Sequence, residues 1–210
     1  MIDIPSLFKI SLALFAIINP IGSLPIFISA TNGWSYQDRA DTARTVALTV
    51  FIVLSVSVFL GDQILDFFGV SIPSFQVGGG ILLMLIAISM MHGKQSGTRQ
   101  TPEEAQTLAE REVIAIVPLS IPLLAGPGAI SNVILFAQKN STFIGHLSLI
   151  IPVFIICMMI WLILRLSVSI SRKLGIIGIN IVTRLMGLIL AAMAVEFIAH
   201  GLTGLFPRLA

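Results

Sequence analysis

Six stretches of predominantly apolar residues, near 6–30, 44–61, 74–92, 113–138, 143–165 and 181–205, are long enough to cross a bilayer. A helical crossing takes about 17 to 25 residues at about 1.5 Å of rise per residue. In lipid every backbone polar group has to be satisfied inside the protein, so such a chain is confined to an all-α integral membrane protein. Composition agrees where it matters: 10% of the residues are charged and the mean hydropathy is +1.02, whereas soluble domains are about a quarter charged. The first run is too long for the apolar core of a signal peptide and carries two prolines.

The charges between the runs predict topology. Arg39, Arg44, Lys94, Arg99, Arg111, Arg165, Arg172 and Lys173 fall on one side, and Lys9, Lys139 and Arg208 on the other. The positive-inside rule then puts both termini outside, in the periplasm of a bacterial inner membrane, and the polar segment His92 to Glu112 in the cytoplasm. Within that segment Thr101-Pro102-Glu103-Glu104 reads as a capping box opening a short amphipathic helix. The basic residues form no stripe with interleaved aromatics, so a nucleic-acid partner is excluded. A lone cysteine, Cys157, excludes an intrachain disulfide or a thiolate metal site.

The chain resembles itself at a shift of about 108 residues. Gly69-Val70-Ser71-Ile72 aligns with Gly178-Ile179-Asn180-Ile181, Gly79-Gly80-Ile81-Leu82 with Gly187-Leu188-Ile189-Leu190, and His92-Gly93 with His200-Gly201. Three spans per half is an odd number, so the second half enters from the opposite side. The expected architecture is one transmembrane domain, residues 1–210, of six helices in two inverted three-helix repeats. Repeat 1 covers about 1–93, a cytoplasmic linker about 94–112, and repeat 2 about 113–210.

Helices 1 and 4 are expected to be discontinuous. Asn19-Pro20-Ile21-Gly22-Ser23 interrupts the first, and Ile121-Pro122-Leu123-Leu124-Ala125-Gly126-Pro127-Gly128 the fourth. Each proline removes a backbone donor and frees the carbonyl four residues earlier. Asn is a preferred N-cap and proline a preferred first helical residue, while Gly126 suits a left-handed helix end. Both breaks lie about 14 residues into their runs, near the expected midplane. A helix N-terminus there offers free N–H groups and partial positive charge to a carboxylate, and a preceding C-terminus offers carbonyls to an ammonium group. The expected ligand is a small zwitterion. Its candidate binding residues are Asn19, Pro20, Gly22, Ser23, Ser120, Pro122, Gly126, Pro127, Gly128, Ser131 and Asn132. Ser120 and Ser131 can instead bond their own helix backbone.

Two charges fall within the sixth run. Arg184 is close enough to its end to snorkel. Glu196 stands four residues before His200, on one helix face, where the two form either a proton relay or an interfacial anchor. Gly78-Gly79-Gly80 reads as a helix contact surface, and the methionines of helices 3, 5 and 6 as core. No catalytic constellation, cofactor motif or metal motif such as H-E-x-x-H is present, so no enzymatic activity is expected.

The segments "INPIGSLPIFIS", "FGVSIPSFQVGGGILL", "VPLSIPLLAGPGAIS" and "GINIVTRLMGLILAAMAVEFI" resemble the MarC family of bacterial and archaeal membrane proteins along essentially the whole chain. The resemblance implies an inner-membrane protein of six spans, with some members resembling transporters of small neutral amino acids such as glycine and alanine. Its motif residues fall on Asn19, Pro20 and Gly22 and on Pro122, Gly126, Pro127 and Gly128. The reading that follows is a secondary transporter or exporter of small zwitterions by alternating access, compatible with proton or sodium coupling and with self-association. Its rivals are an uncoupled solute channel and a structural or regulatory subunit without flux.

Overall fold

The computed structural model describes residues 4–31, 33–92, 120–121, 123–139 and 142–207. The described residues form helices α1 (Ile4–Ile18), α2 (Pro20–Ala30), α3 (Tyr36–Phe67), α4 (Ile72–Met91), α5 (Pro127–Lys139), α6 (Phe143–Arg165) and α7 (Ser167–Leu205), with no strand among them. Five spans among these residues are long and apolar enough to cross a membrane: Pro5–Ile28, Tyr36–Phe67, Ile72–Met91, Phe143–Arg165 and Asn180–Leu205. The chain is therefore an all-α, multi-pass membrane protein. The fourth predicted run is described only from Ser120 onward, and the 94–112 linker with its capping box lies outside the described residues.

Two helices begin earlier than their apolar runs. Ser35 caps α3 by accepting from the Asp38 N–H at 3.1 Å, so the polar turns from Tyr36 onward are helical although they are too polar for lipid. α7 begins at Ser167, but Gly175 (φ 63°, ψ 179°) interrupts it before the Asn180–Leu205 span. The α3–α4 turn is a Schellman motif: Gly69 (φ 65°) donates to the Asp66 carbonyl and Val70 to the Leu65 carbonyl, both at 2.9 Å. Ser71 then caps α4 by accepting from the Ser74 N–H.

The interior divides into two parts. A large core joins α1, α2, α3, α5 and α6 around Leu14, Phe27, Leu54, Leu124, Ile156 and Ile160. A smaller cluster of Ala87, Met90 and Leu190 lies between α4 and α7, with Ile26 and Met186 at its margin. α4 and α7 are each other's principal neighbours, as are α3 and α6. α2 rests on α7, and α5 on α4.

Lipid tails are as apolar as the side chains, so helices in a membrane associate through close packing, which small residues permit. At Gly80 an added Cβ would lie 2.9 Å from the Ala194 carbonyl oxygen, and at Gly187 it would lie 3.1 Å from that of Ala87. Gly201 approaches the Pro73 carbonyl oxygen in the same way, at 2.7 Å. Gly79 packs on the ring of Pro127, whereas Gly78 faces open space. The glycine run is thus a contact surface at two of its three positions.

Candidate functional site

The first break is built by one residue with two duties. Asn19 sits in the left-handed region (φ 48°), the one non-glycine residue among those described to do so. Its N–H closes α1 on the Phe15 carbonyl at 3.0 Å, the single bond of a left-handed helix end. Its Oδ1 accepts from the Gly22 N–H at 3.1 Å, capping α2, which Pro20 begins. Gly22 is required to have no side chain, because a Cβ there would lie 2.5 Å from Asn19 Nδ2. Ser23 is fully buried and its hydroxyl donates to the Pro20 carbonyl at 2.7 Å, so it serves its own helix.

The second break uses different means. The Ala125 N–H donates to the Ser120 carbonyl at 2.8 Å, a bond spanning five residues that marks a π-type turn. That turn closes the preceding segment without a left-handed residue, so Gly126 does not adopt the conformation expected of it; Gly33, Gly69 and Gly175 are the left-handed glycines among the described residues. The Gly126 carbonyl instead opens α5 by accepting from the Ile130 N–H at 3.0 Å. Ser131 and Asn132 both return to the Gly128 carbonyl, at 3.2 and 2.9 Å. Ser120 is fully buried at the head of the turn. Pro122 lies outside the described residues.

Both breaks touch α7. Asn19 Nδ2 lies 3.8 Å from the Met186 sulfur, and Gly128 lies under the ring of Phe197, whose Cε2 would stand 2.5 Å from an added Cβ. Met186 and Phe197 are eleven residues apart, three helical turns and about 20°, so they share a face at levels about 16 Å apart. The breaks therefore lie along one stripe of α7 but at different depths.

Glu196 and His200 are brought together, with Nε2 to Oε1 at 3.0 Å, but on the outer face of α7: the side chains are 75% and 59% exposed from protein. Arg184 is likewise exposed. Among the described residues no three of His, Cys, Asp and Glu stand close enough to hold a metal ion. Sequence reasoning passed over Met186 and Phe197, the residues that α7 presents to the breaks. The internal alignment pairs Gly79 with Gly187, and only a register one residue shorter, 107 positions, sets Met186 against Gly79, the glycine beneath Pro127.

Comparison with known proteins assigns the family. The model of the MarC family of integral membrane proteins matches residues 4–206. The UPF0056 membrane protein YhcE of Escherichia coli K12 is 42% identical over 207 residues, which are 99% of this chain and 96% of that protein. The UPF0056 membrane protein PH0760 of Pyrococcus horikoshii is 40% identical over 193 residues, 92% of each chain. That of Aquifex aeolicus is 36% identical over 200 residues, 95% of this chain and 94% of its own. No solved structure matches significantly. Matched over nearly its whole length, the chain belongs to the MarC family of integral membrane proteins.

Proposed function

We propose that this protein is a secondary transporter of small neutral amino acids or similar zwitterions, working by alternating access through two inverted repeats in the bacterial inner membrane. The observation that carries the reading is a packing equivalence. Gly80 meets Ala194 and Ile198, while Gly187 meets Ala87 and Met91. Gly80 and Gly187, Ala87 and Ala194, and Met91 and Ile198 are each 107 positions apart. The same shift carries Asn19-Pro20 onto Gly126-Pro127 and Met186 onto Gly79; Asn19 meets Met186, and Pro127, the residue after the counterpart of Asn19, meets Gly79. The α4–α7 glycine contacts thus exchange with one another, which supports a pseudo-two-fold axis in the membrane plane.

Inverted repeats with discontinuous helices in corresponding positions are the architecture on which alternating access is built. The α4–α7 pair, which makes only a small core of its own, is the natural unit to rock against the larger core. The Asn19 carboxamide and the α2 N-terminus supply donors for a carboxylate without a buried basic side chain. If the Glu196–His200 pair carries protons, Glu196→Gln abolishes proton-driven accumulation and spares exchange; unchanged accumulation makes the pair an anchor.

The test is uptake of labelled glycine and alanine into proteoliposomes, with imposed proton and sodium gradients. The reading predicts saturable uptake with counterflow. Flux without saturation or counterflow would establish a channel, and no flux from the purified chain would establish a subunit without transport activity.

A further inference from the structure

We propose that Met186 is a displaceable cover over the donor group of Asn19, and that the carboxylate of a small amino acid takes the place of its sulfur when substrate binds. The proposal rests on the transporter reading for the identity of the ligand, but not for the existence of the cover.

Asn19 occupies a left-handed backbone conformation that glycine adopts freely and asparagine at less cost than most residues. Glycine would hold the same turn without that cost, so what Asn19 adds is its carboxamide. The Oδ1 end is fixed by the Gly22 N–H, which turns Nδ2 toward α7. There its partner among the described residues is the Met186 thioether at 3.8 Å. A thioether is a weak acceptor, and an amide nitrogen carries two donors. A carboxylate in the same place would form a shorter, charge-assisted bond.

The other half of the molecule shows what this position looks like when closed for good. There Gly79 stands in the place of Met186, and the Pro127 ring packs directly on its backbone with no side chain between them. At the first break an unbranched side chain with three rotatable bonds fills the interval, and it can swing aside without backbone movement. The next residue, Gly187, already brings α7 within 3.1 Å of the Ala87 carbonyl oxygen when a Cβ is placed on it, so the space cannot widen on that side. Met186 therefore sets an upper limit on substrate size.

Two measurements test the cover. In proteoliposomes with Asn19 intact, Met186→Ala should extend uptake from glycine and alanine to valine and leucine, while Met186→Leu should keep the size limit. In a Cys157→Ser background, Asn19→Cys should react with methyl methanethiosulfonate at least about tenfold faster when Met186→Ala is added, a cover worth about one hydrogen bond of protection. Faster modification without any amino acid uptake would sustain the cover and overturn the ligand. An unchanged size limit together with an unchanged rate would overturn the cover while leaving the transporter reading in place. If Asn19→Cys does not fold, the size limit alone decides.

Discussion

The breaks at Asn19-Pro20 and at Gly126-Pro127 look like copies of one device in the sequence, yet they are closed by opposite means. The first is held by a strained asparagine whose side chain caps α2 and meets a flexible methionine. The second is held by a π-type turn, and its proline lies directly against a glycine of α4. One break keeps a polar group loosely partnered, and the other is packed shut. Under the proposed transport function the two breaks divide the work, one reading the ligand and one fixing the frame.

The largest effect that sharpens this comparison comes from placing the same side chain at the two equivalent positions. Gly79→Leu drives a branched side chain into the Pro127 ring, and α4 cannot retreat without losing the approach of Gly80 to Ala194. Overpacking of this kind should cost about 3 kcal/mol, read as loss of folded protein or a lowered melting temperature in detergent. Met186→Leu, a swap of similar volume, should cost less than about 1.5 kcal/mol. Equal losses would break the comparison.

Gly22→Ala comes next. Its Cβ would displace the Asn19 carboxamide from the cap, so stability should fall by about 1 to 2 kcal/mol and uptake should fall with it. Asn132→Ala removes the bond to the Gly128 carbonyl at the second break. It should cost about 1 kcal/mol in a thermal melt and leave the substrate KM unchanged. A KM that rises more for Asn132→Ala than for Gly22→Ala would reverse the assignment of roles. The smallest effect on stability belongs to Asn19→Gly, within a few tenths of a kcal/mol, because glycine suits the left-handed turn and caps nearly as well.

These differences show why one break was legible in the sequence and the other only half so. Asparagine and proline each have a local rule, and at Asn19-Pro20 both rules point to the same backbone. A π-type turn has no such sequence rule, so Gly126 was given a conformation that the Ser120–Ala125 bond makes unnecessary. Hydropathy marks what lipid tolerates rather than what is helical, which is why α3 begins at Tyr36, under the Ser35 cap, instead of near residue 44. The glycine run marks a helix contact surface in the sequence, and there Gly80 meets α7 while Gly79 meets Pro127 of α5, but the part played by Met186 depends on which side chain arrives opposite Asn19. That is a tertiary fact, and so are the depths of the two breaks along α7.

The central claim is that the first break recognises a carboxylate through Asn19, and competition against labelled alanine uptake tests it most directly. Alanine and alaninamide are the same size and differ in the charge at one end. In the parent protein alaninamide should compete at least about tenfold more weakly than alanine, the worth of about 1.4 kcal/mol from a charge-assisted hydrogen bond. In Asn19→Gly, which keeps the break and loses the donor, that difference should shrink as alanine weakens toward the amide. Equal competition by the two compounds in the parent, or undiminished discrimination in Asn19→Gly, would contradict the claim.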